Sequence, residues 1–410
     1  MTTEVLIPTA MVAGGAALAH DEAGRVVFVD GALPGETVAV QLTEARADYA
    51  RGHAIEVLEA SPDRVEPPCP AVARGCGGCT WQHIAREAQA RLKAGIVVDA
   101  LHRIGHLWGP PEPTVVALSE PALRTTARLS VSPAGRAGYR PRRRTGAVET
   151  DSCLAAHPLL EELIVSSRFP GAEEVLLRVG VASGQRRARP RPNLGREKAQ
   201  LPSDVVLPSD GEPAPVTEVV AGRSFQISLD SFFQPGPVAA EALVNAVAAA
   251  LEAPGEAASA LASGRHELID AYAGVGLFAS VFGARLGIPV TAIESDLSAV
   301  ADARINLAGM DAKIARVDVG RWRRRRGDAA VGAVIADPPR PGLGRPGVTA
   351  LVATRTPRLV LVSCDPASLG RDTALLRQAG YNLASVALVD SFPHTFHVET
   401  VSRFDRADGT

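Results

Sequence analysis

Glu267-Leu-Ile-Asp270-Ala-Tyr272-Ala-Gly274-Val-Gly276-Leu-Phe278 decides the fold. An apolar run enters a glycine turn, and a helical pattern follows. Glycines at that turn let a ligand approach the backbone beside a helix N-terminus. No third glycine stands in the phosphate-cradling position, so a dinucleotide fits poorly. Outward from this stretch, strands alternate with helical segments: Glu267–Ala271, Val290–Glu294, Ile314–Asp318, Ala333–Ala336 and Leu359–Ser363. That alternation predicts an α/β domain built on a doubly wound parallel sheet. A helix over Val238–Leu251 precedes it, and strands over Leu383–Val389 and Glu399–Phe404 close it.

Open α/β sheets bind ligands at the carboxyl ends of their strands. Glu294, ending the second strand, is placed for ribose hydroxyls, and Asp318, ending the third, for an adenine amino group. Acids after three successive strands without a pyrophosphate site suggest a nucleoside cofactor, of which S-adenosylmethionine is one. The plainer readings are helix caps for Asp270 and Asp318 and a surface charge for Glu294. After the fourth strand, Asp337-Pro-Pro-Arg340 forms a stiff shelf. The fifth, Arg358-Leu-Val-Leu-Val-Ser363, ends in Cys364 before Asp365-Pro366. A thiol there is either a small core residue or a nucleophile. Glu399 begins the last strand, and a thiolate with a carboxylate at one sheet edge suggests covalent catalysis with a proton acceptor.

The chain has 410 residues and a formal net charge of −2, enough length for two or three domains. No apolar run approaches a membrane span, and no signal peptide pattern opens the chain, so a cytoplasmic monomer is expected. Residues 4–60 read as short strands, Val5–Val12, Arg25–Val29, Glu36–Leu42 and Gly52–Leu58, of a small OB-like barrel. Nine carboxylates face three arginines over 1–60. Arginine gathers at Arg140–Arg144, Arg186–Lys198 and Arg321–Arg326, which suggests a polyanion partner or solvated loops. Of five cysteines, Cys69, Cys76, Cys79 and Cys153 make a set of four that binds zinc or an iron–sulfur cluster. Their asymmetric spacing leans toward the cluster. A helix over Ile84–Ile104 follows. Strands Arg128–Ser132, Glu174–Val181, Val216–Val220 and Ser224–Leu229 make a strand-rich middle. Residues 185–215, rich in proline and arginine, read as a long mobile loop.

With these motifs in hand, Cys69-x6-Cys76-Gly-Gly-Cys79, Phe232-Phe-Gln234-Pro, Asp270-x-Tyr-x-Gly-x-Gly276, Asp337-Pro-Pro-Arg340, Ser363-Cys364-Asp-Pro and Phe392-Pro-His-Thr-x-His-x-Glu399, the chain resembles the S-adenosylmethionine-dependent RNA uracil-5 methyltransferases. The branch it resembles carries a TRAM barrel and a [4Fe-4S] cluster. The resemblance implies a TRAM-like barrel over 1–60, an iron–sulfur and RNA-binding central domain over 61–230, and a Rossmann-like class I methyltransferase domain over 231–410. It implies Cys364 as the nucleophile at C6 of uridine and Glu399 as the base at C5. It implies Gln234, Tyr272, Gly274, Gly276, Glu294, Asp318 and Asp337 at the cofactor, and Cys69, Cys76, Cys79 and Cys153 at the cluster. The expected partner is RNA: 23S ribosomal RNA ahead of transfer RNA, with no membrane. The alternatives are a transfer RNA methyltransferase, a non-catalytic ribosome-assembly factor, or a DNA cytosine-5 methyltransferase. The last typically has a proline where Ser363 stands. Ala273 stands where family members often have cysteine.

Overall fold

The computed structural model describes residues 2–116, 118, 123–142, 144–325 and 327–407. Arg143 and Arg326, members of two arginine clusters, lie outside the described residues.

Six strands come first: β1 (Thr3–Leu6), β2 (Ala10–Met11), β3 (Ala17–His20), β4 (Val26–Asp30), β5 (Thr37–Ala45) and β6 (Tyr49–Glu59). They pair in the order β1-β5-β6-β4-β3-β2. Val27 and Val29 alternate inward along β4, as a pleated strand with one buried face requires. They meet Val38, Val40 and Leu6 in one core. The two-residue β2 and the Ala-Leu-Ala-His of β3 carry too little β-branched signal to be read from sequence as separate strands. Glu36 is fully buried, accepts from the Leu33 amide at 2.8 Å and pairs with Arg64 beyond the barrel.

Next come α1 (Pro70–Ala73), α2 (Arg86–Arg103) and β7 (Thr114–Val116). The middle sheet is formed by β8 (Thr126–Val131), β9 (Ala137–Tyr139), β10 (Val148–Glu149), β11 (Glu174–Val179), β12 (Arg186–Arg191) and β13 (Val205–Val206). The order is β10-β9-β8-β11-β12-β13, and α3 (Pro158–Ser166) packs into its core. The expectation of a loop over 185–215 is corrected at 186–191 and 205–206, which are strands; the stretches between and after them are turns and irregular chain. Arg186-Arg-Ala-Arg-Pro-Arg191 is a strand paired along its whole length with β11. Its arginines are neutralised by distant acids, Arg186 by Asp204 and Glu162 and Arg189 by Asp230. Burial without hydrophobic periodicity follows. Pro190 is tolerated because β13 covers only Arg186 and Arg187, leaving an edge at the proline.

The hairpin β14 (Val216–Val220) and β15 (Arg223–Ile227) leads into α4 (Pro237–Glu252) and α5 (Glu256–Ala262). The catalytic sheet then alternates β16 (Glu267–Ala271), α6 (Leu277–Leu286), β17 (Val290–Glu294), α7 (Leu297–Asn306), β18 (Ala312–Arg316), β19 (Val331–Ala336), α8 (Gly344–Val352), β20 (Arg358–Ser363), α9 (Pro366–Gln378), β21 (Tyr381–Val389) and β22 (Thr400–Arg406). Its order is β18-β17-β16-β19-β20-β22-β21-β7. Every residue of β16, β19 and β20 is buried, which explains the apolar runs Val331–Ala336 and Leu359–Val362; β16 also buries Glu267 and Asp270. The chain reverses its direction of winding between β16 and β19, and a crevice opens there at the carboxyl ends. β18 stops at Arg316, so Asp318 caps a single 3-10 turn, Val319–Arg321, instead of closing the strand.

α2 stitches the parts together. Ala94, Val97 and Leu101 enter the catalytic core, while Ala88 and Ile96 enter the barrel core. It approaches α9 so closely that a Cβ on Gly370 would stand 2.7 Å from the Ala100 carbonyl. No single helix among the described residues is long and apolar enough to cross a membrane.

Candidate active site

β20 and β22 run antiparallel, with Ser363 opposite Thr400, and the Thr400 hydroxyl donates to the Ser363 carbonyl at 3.1 Å. Cys364 follows Ser363 and Glu399 precedes Thr400, so both flank the last pair of this register, and the Glu399 charge acts on the thiol. Asp365 ends the strand by capping α9, accepting from the Ser368 amide at 2.8 Å, with Pro366 in the first turn. Cys364 is thereby left half-buried at the sheet edge, while Glu399 is buried.

Asp337 joins them from the end of β19, where its amide donates to the Ala271 carbonyl at 3.1 Å. The buried Gln234 reaches its carboxylate with an amide nitrogen at 3.4 Å. Burial pushes both the Glu399 and Asp337 carboxyls up, and the charge of Asp337 adds to the effect at Glu399. Burial, with Glu399 and Asp337 adding to it and Arg340 opposing them, pushes the Cys364 thiol up to about 11. The resting thiol is protonated, and any cation brought beside it favours the thiolate.

The glycine turn forms the other wall. Tyr272 holds a left-handed φ of 62°, a strained conformation for a tyrosine. Its hydroxyl lies 3.0 Å from where a Cβ on Gly347 would be, so the glycine in α8 makes room for it. Gly274 and Gly276 both have positive φ, 55° and 86°. Glu294 accepts from the Gly274 amide at 2.9 Å and from the amides of Ser295 and Asp296 at 2.6 and 2.8 Å. Its carboxylate therefore ties the turn as well as facing the crevice. Asp318 is exposed and near enough to act electrostatically on Tyr272. Asp270 is fully buried beneath the turn and accepts from the Ala279 amide at 2.8 Å. Burial, with Asp337 and Glu294 nearby, pushes it up to about 8.

The four remaining cysteines converge at the junction of barrel and middle sheet. Cys79 and Cys69 act electrostatically on Cys76, and Cys79 and Cys76 on Cys153. Burial leads the upward shift of both, Cys153 to about 11. Arg124 donates to the Gly78 carbonyl at 2.9 Å and stacks 5.3 Å from the Tyr139 ring centre. Among the described residues no three His, Cys, Asp or Glu side chains are grouped to hold a single metal ion.

Sequence reading missed the clamp on the Glu399 loop. Lys93 of α2 is fully buried and donates to Asp390 at 2.7 Å and to the Phe392 carbonyl at 2.9 Å; Arg86 also pairs with Asp390. Gln89 accepts from the His394 amide at 2.7 Å, and Trp81 bridges the His394 carbonyl (2.8 Å) and the Gly15 carbonyl (3.1 Å). A lysine on the apolar face of α2 was the available signal.

Residues 2–55 match the profile of the TRAM domain, and residues 219–406 that of tRNA (Uracil-5-)-methyltransferase. An uncharacterized RNA methyltransferase of Streptomyces avermitilis is 36% identical over 96% of each chain. The 23S rRNA (uracil(1939)-C(5))-methyltransferase of Acidithiobacillus ferrooxidans is 32% identical over 93% of each. The crystal structure of Pyrococcus abyssi tRNA (uracil-54, C5)-methyltransferase with S-adenosyl-L-homocysteine shares the fold: TM-score 0.71, 21% identity, covering 98% of this chain and 100% of that one.

Proposed function

Because this chain belongs to the RNA uracil-5 methyltransferase family, we propose that it methylates C5 of a uridine in 23S ribosomal RNA through a covalent bond between Cys364 and C6. The observation that supports this reading is that Cys364 and the buried Glu399 flank the last pair of the β20–β22 register, close enough for the carboxyl charge to act on the thiol. S-adenosylmethionine supplies the methyl group as a sulfonium cation. Gln234, Tyr272, Gly274, Gly276, Glu294, Asp318 and Asp337 hold it in the crevice.

C5 of uracil is a weak nucleophile until C6 is attacked. The Cys364 thiol gives up its proton to solvent, its sulfur bonds to C6, and the electrons of the 5,6 double bond move toward C5 and O4. C5 then takes the methyl group as the bond from methyl to the sulfonium sulfur breaks, leaving the neutral thioether S-adenosylhomocysteine. Glu399 removes the C5 proton, the 5,6 double bond re-forms, and the sulfur–C6 bond breaks. A buried carboxyl with a raised pKa suits proton removal near neutral pH. The target uridine must leave its stack to reach this edge.

Cys69, Cys76, Cys79 and Cys153 would be the donor set of a [4Fe-4S] cluster, four thiols that act on one another electrostatically beside the half-buried Arg124 guanidinium. Bound there, a cluster would cross-link the start of α1, the glycine loop and the middle sheet. The 23S reading rests on the full-length relative of that specificity, whereas the profile naming tRNA matches residues 219–406 alone. Nucleoside analysis of 23S and transfer RNA from a strain lacking the gene tests it. The expected result is loss of 5-methyluridine from 23S RNA at one position. Loss confined to transfer RNA overturns the substrate, and no loss from either overturns the activity.

A further inference from the structure

Two acids surround Cys364 and one cation opposes them. Glu399, just before β22, and Asp337, just after β19, act on the thiol with negative charge, and Arg340, on the shelf after β19, acts on it with the opposite sign. The Arg340 side chain is exposed on a loop, yet it is not free to turn away. Its Nη2 lies 3.4 Å from His397 Nδ1. A guanidinium can only donate, so Nδ1 accepts and the ring is neutral with its proton on Nε2. His397 is itself fixed: its ring sits 4.4 Å from the Phe396 ring and 5.7 Å from the Phe392 ring. Phe396 packs on Gly15 of the barrel so tightly that a Cβ there would stand 2.7 Å from its ring. Burial pushes His397 down to about 4, with Arg340, Arg124 and Lys93 acting in the same direction, which keeps the accepting nitrogen unprotonated at neutral pH.

We propose that Arg340 is the counter-charge of the Cys364 thiolate and that His397 is the positioning residue that holds it in place. This deepens the Cys364 reading and rests on it. It assigns a task to the arginine of Asp337-Pro-Pro-Arg340 and to the second histidine of Phe392-Pro-His-Thr-Phe-His397, neither of which the methyl-transfer chemistry otherwise uses.

The test is the pH profile of Cys364 alkylation by iodoacetamide without RNA, followed by mass spectrometry of the Cys364 peptide so that the other four cysteines do not interfere. Four variants are compared with the parent: Arg340→Gln, Arg340→Lys, His397→Phe and His397→Asn. An opposite charge within reach shifts a pKa by about one unit or more. Arg340→Gln should therefore slow alkylation about tenfold below the thiol midpoint and move that midpoint up, leaving the plateau at high pH unchanged. His397→Phe keeps the ring but loses the acceptor, and should shift the profile the same way by less. Arg340→Lys keeps the charge, and His397→Asn offers an acceptor where Nδ1 stood; both should follow the parent. A merely structural role changes the plateau, not the midpoint. Parent-like profiles for Arg340→Gln and His397→Phe overturn the proposal. So does a shift in His397→Asn equal to that in His397→Phe, and if Arg340→Gln does not fold, the two His397 variants decide. Failure of the Cys364 reading shows separately, as methyl transfer by Cys364→Ala.

Discussion

Replacing Asp390 by asparagine should destabilise the protein more than any change to its partner Lys93. Lys93 Nζ has no exposed surface and depends on Asp390 at 2.7 Å for its charge partner and on the Phe392 carbonyl at 2.9 Å. Breaking a buried pair by removing one partner costs about 3 to 5 kcal/mol. An independent bound agrees. Without Asp390 the ammonium can shed its proton, and from an ordinary lysine pKa to pH 7 that costs at most about 5 kcal/mol, at roughly 1.4 kcal/mol per pH unit. Lys93→Met leaves Asp390 paired with Arg86 and the Phe392 carbonyl still accepting from the Thr395 hydroxyl at 2.9 Å, so only the bonds to the ammonium are lost, for about 1.5 to 3 kcal/mol. Urea unfolding at pH 7 should give that order. The deficit of Asp390→Asn should also shrink toward pH 10. A lysine with a depressed folded pKa costs stability at low pH and none above its unfolded pKa, about 10.4. Since residues 390–399 lead into Glu399, methyl transfer should fall in both variants. A loss below about 1 kcal/mol in Asp390→Asn, or a larger one in Lys93→Met, refutes the reasoning.

The Asp270 carboxyl, pushed up to about 8, binds its proton more tightly folded than unfolded. It stabilises the fold below about pH 4 and loses that contribution as pH rises from about 4 to about 8. Asp270→Asn should flatten the stability profile across that window, as urea midpoints at several pH values will show. Gly77→Ala would put a Cβ 2.6 Å from the Arg140 carbonyl, a backbone atom that cannot turn aside; a loss of about 1 to 3 kcal/mol from overpacking is expected in urea unfolding. Gly95→Ala, on an exposed turn of α2 with nothing within 4 Å, should instead stabilise by about 0.5 to 1 kcal/mol in the same unfolding assay.

Local chemistry made the catalytic sheet legible. β19 and the middle of β20, buried on both faces, carry apolar runs, the glycine turn follows β16, and Asp365-Pro366 marks where β20 must end. Cys364 could therefore be placed on the edge before the register with Glu399 was known. What escaped was long-range and charged. β12 hid because its buried arginines are neutralised by Asp204, Glu162 and Asp230, acids that no short window contains. The Lys93–Asp390 clamp spans 297 residues of sequence, and the Arg340–His397 contact spans 57. Asp318 was placed on a strand that ends two residues earlier, because β18 is an edge strand whose partial burial weakens its pattern.

The central claim is the bond between Cys364 and C6, and trapping it is the most direct test. Glu399→Gln keeps the shape of the site and removes the base, so the methylated adduct cannot eliminate. Incubated with 23S RNA and S-adenosylmethionine, then denatured and digested, this variant should yield a nucleotide attached to the Cys364 peptide, and Cys364→Ala in the same background should yield none. An inactive Glu399→Gln enzyme with no adduct, or an adduct on any other residue, contradicts the account.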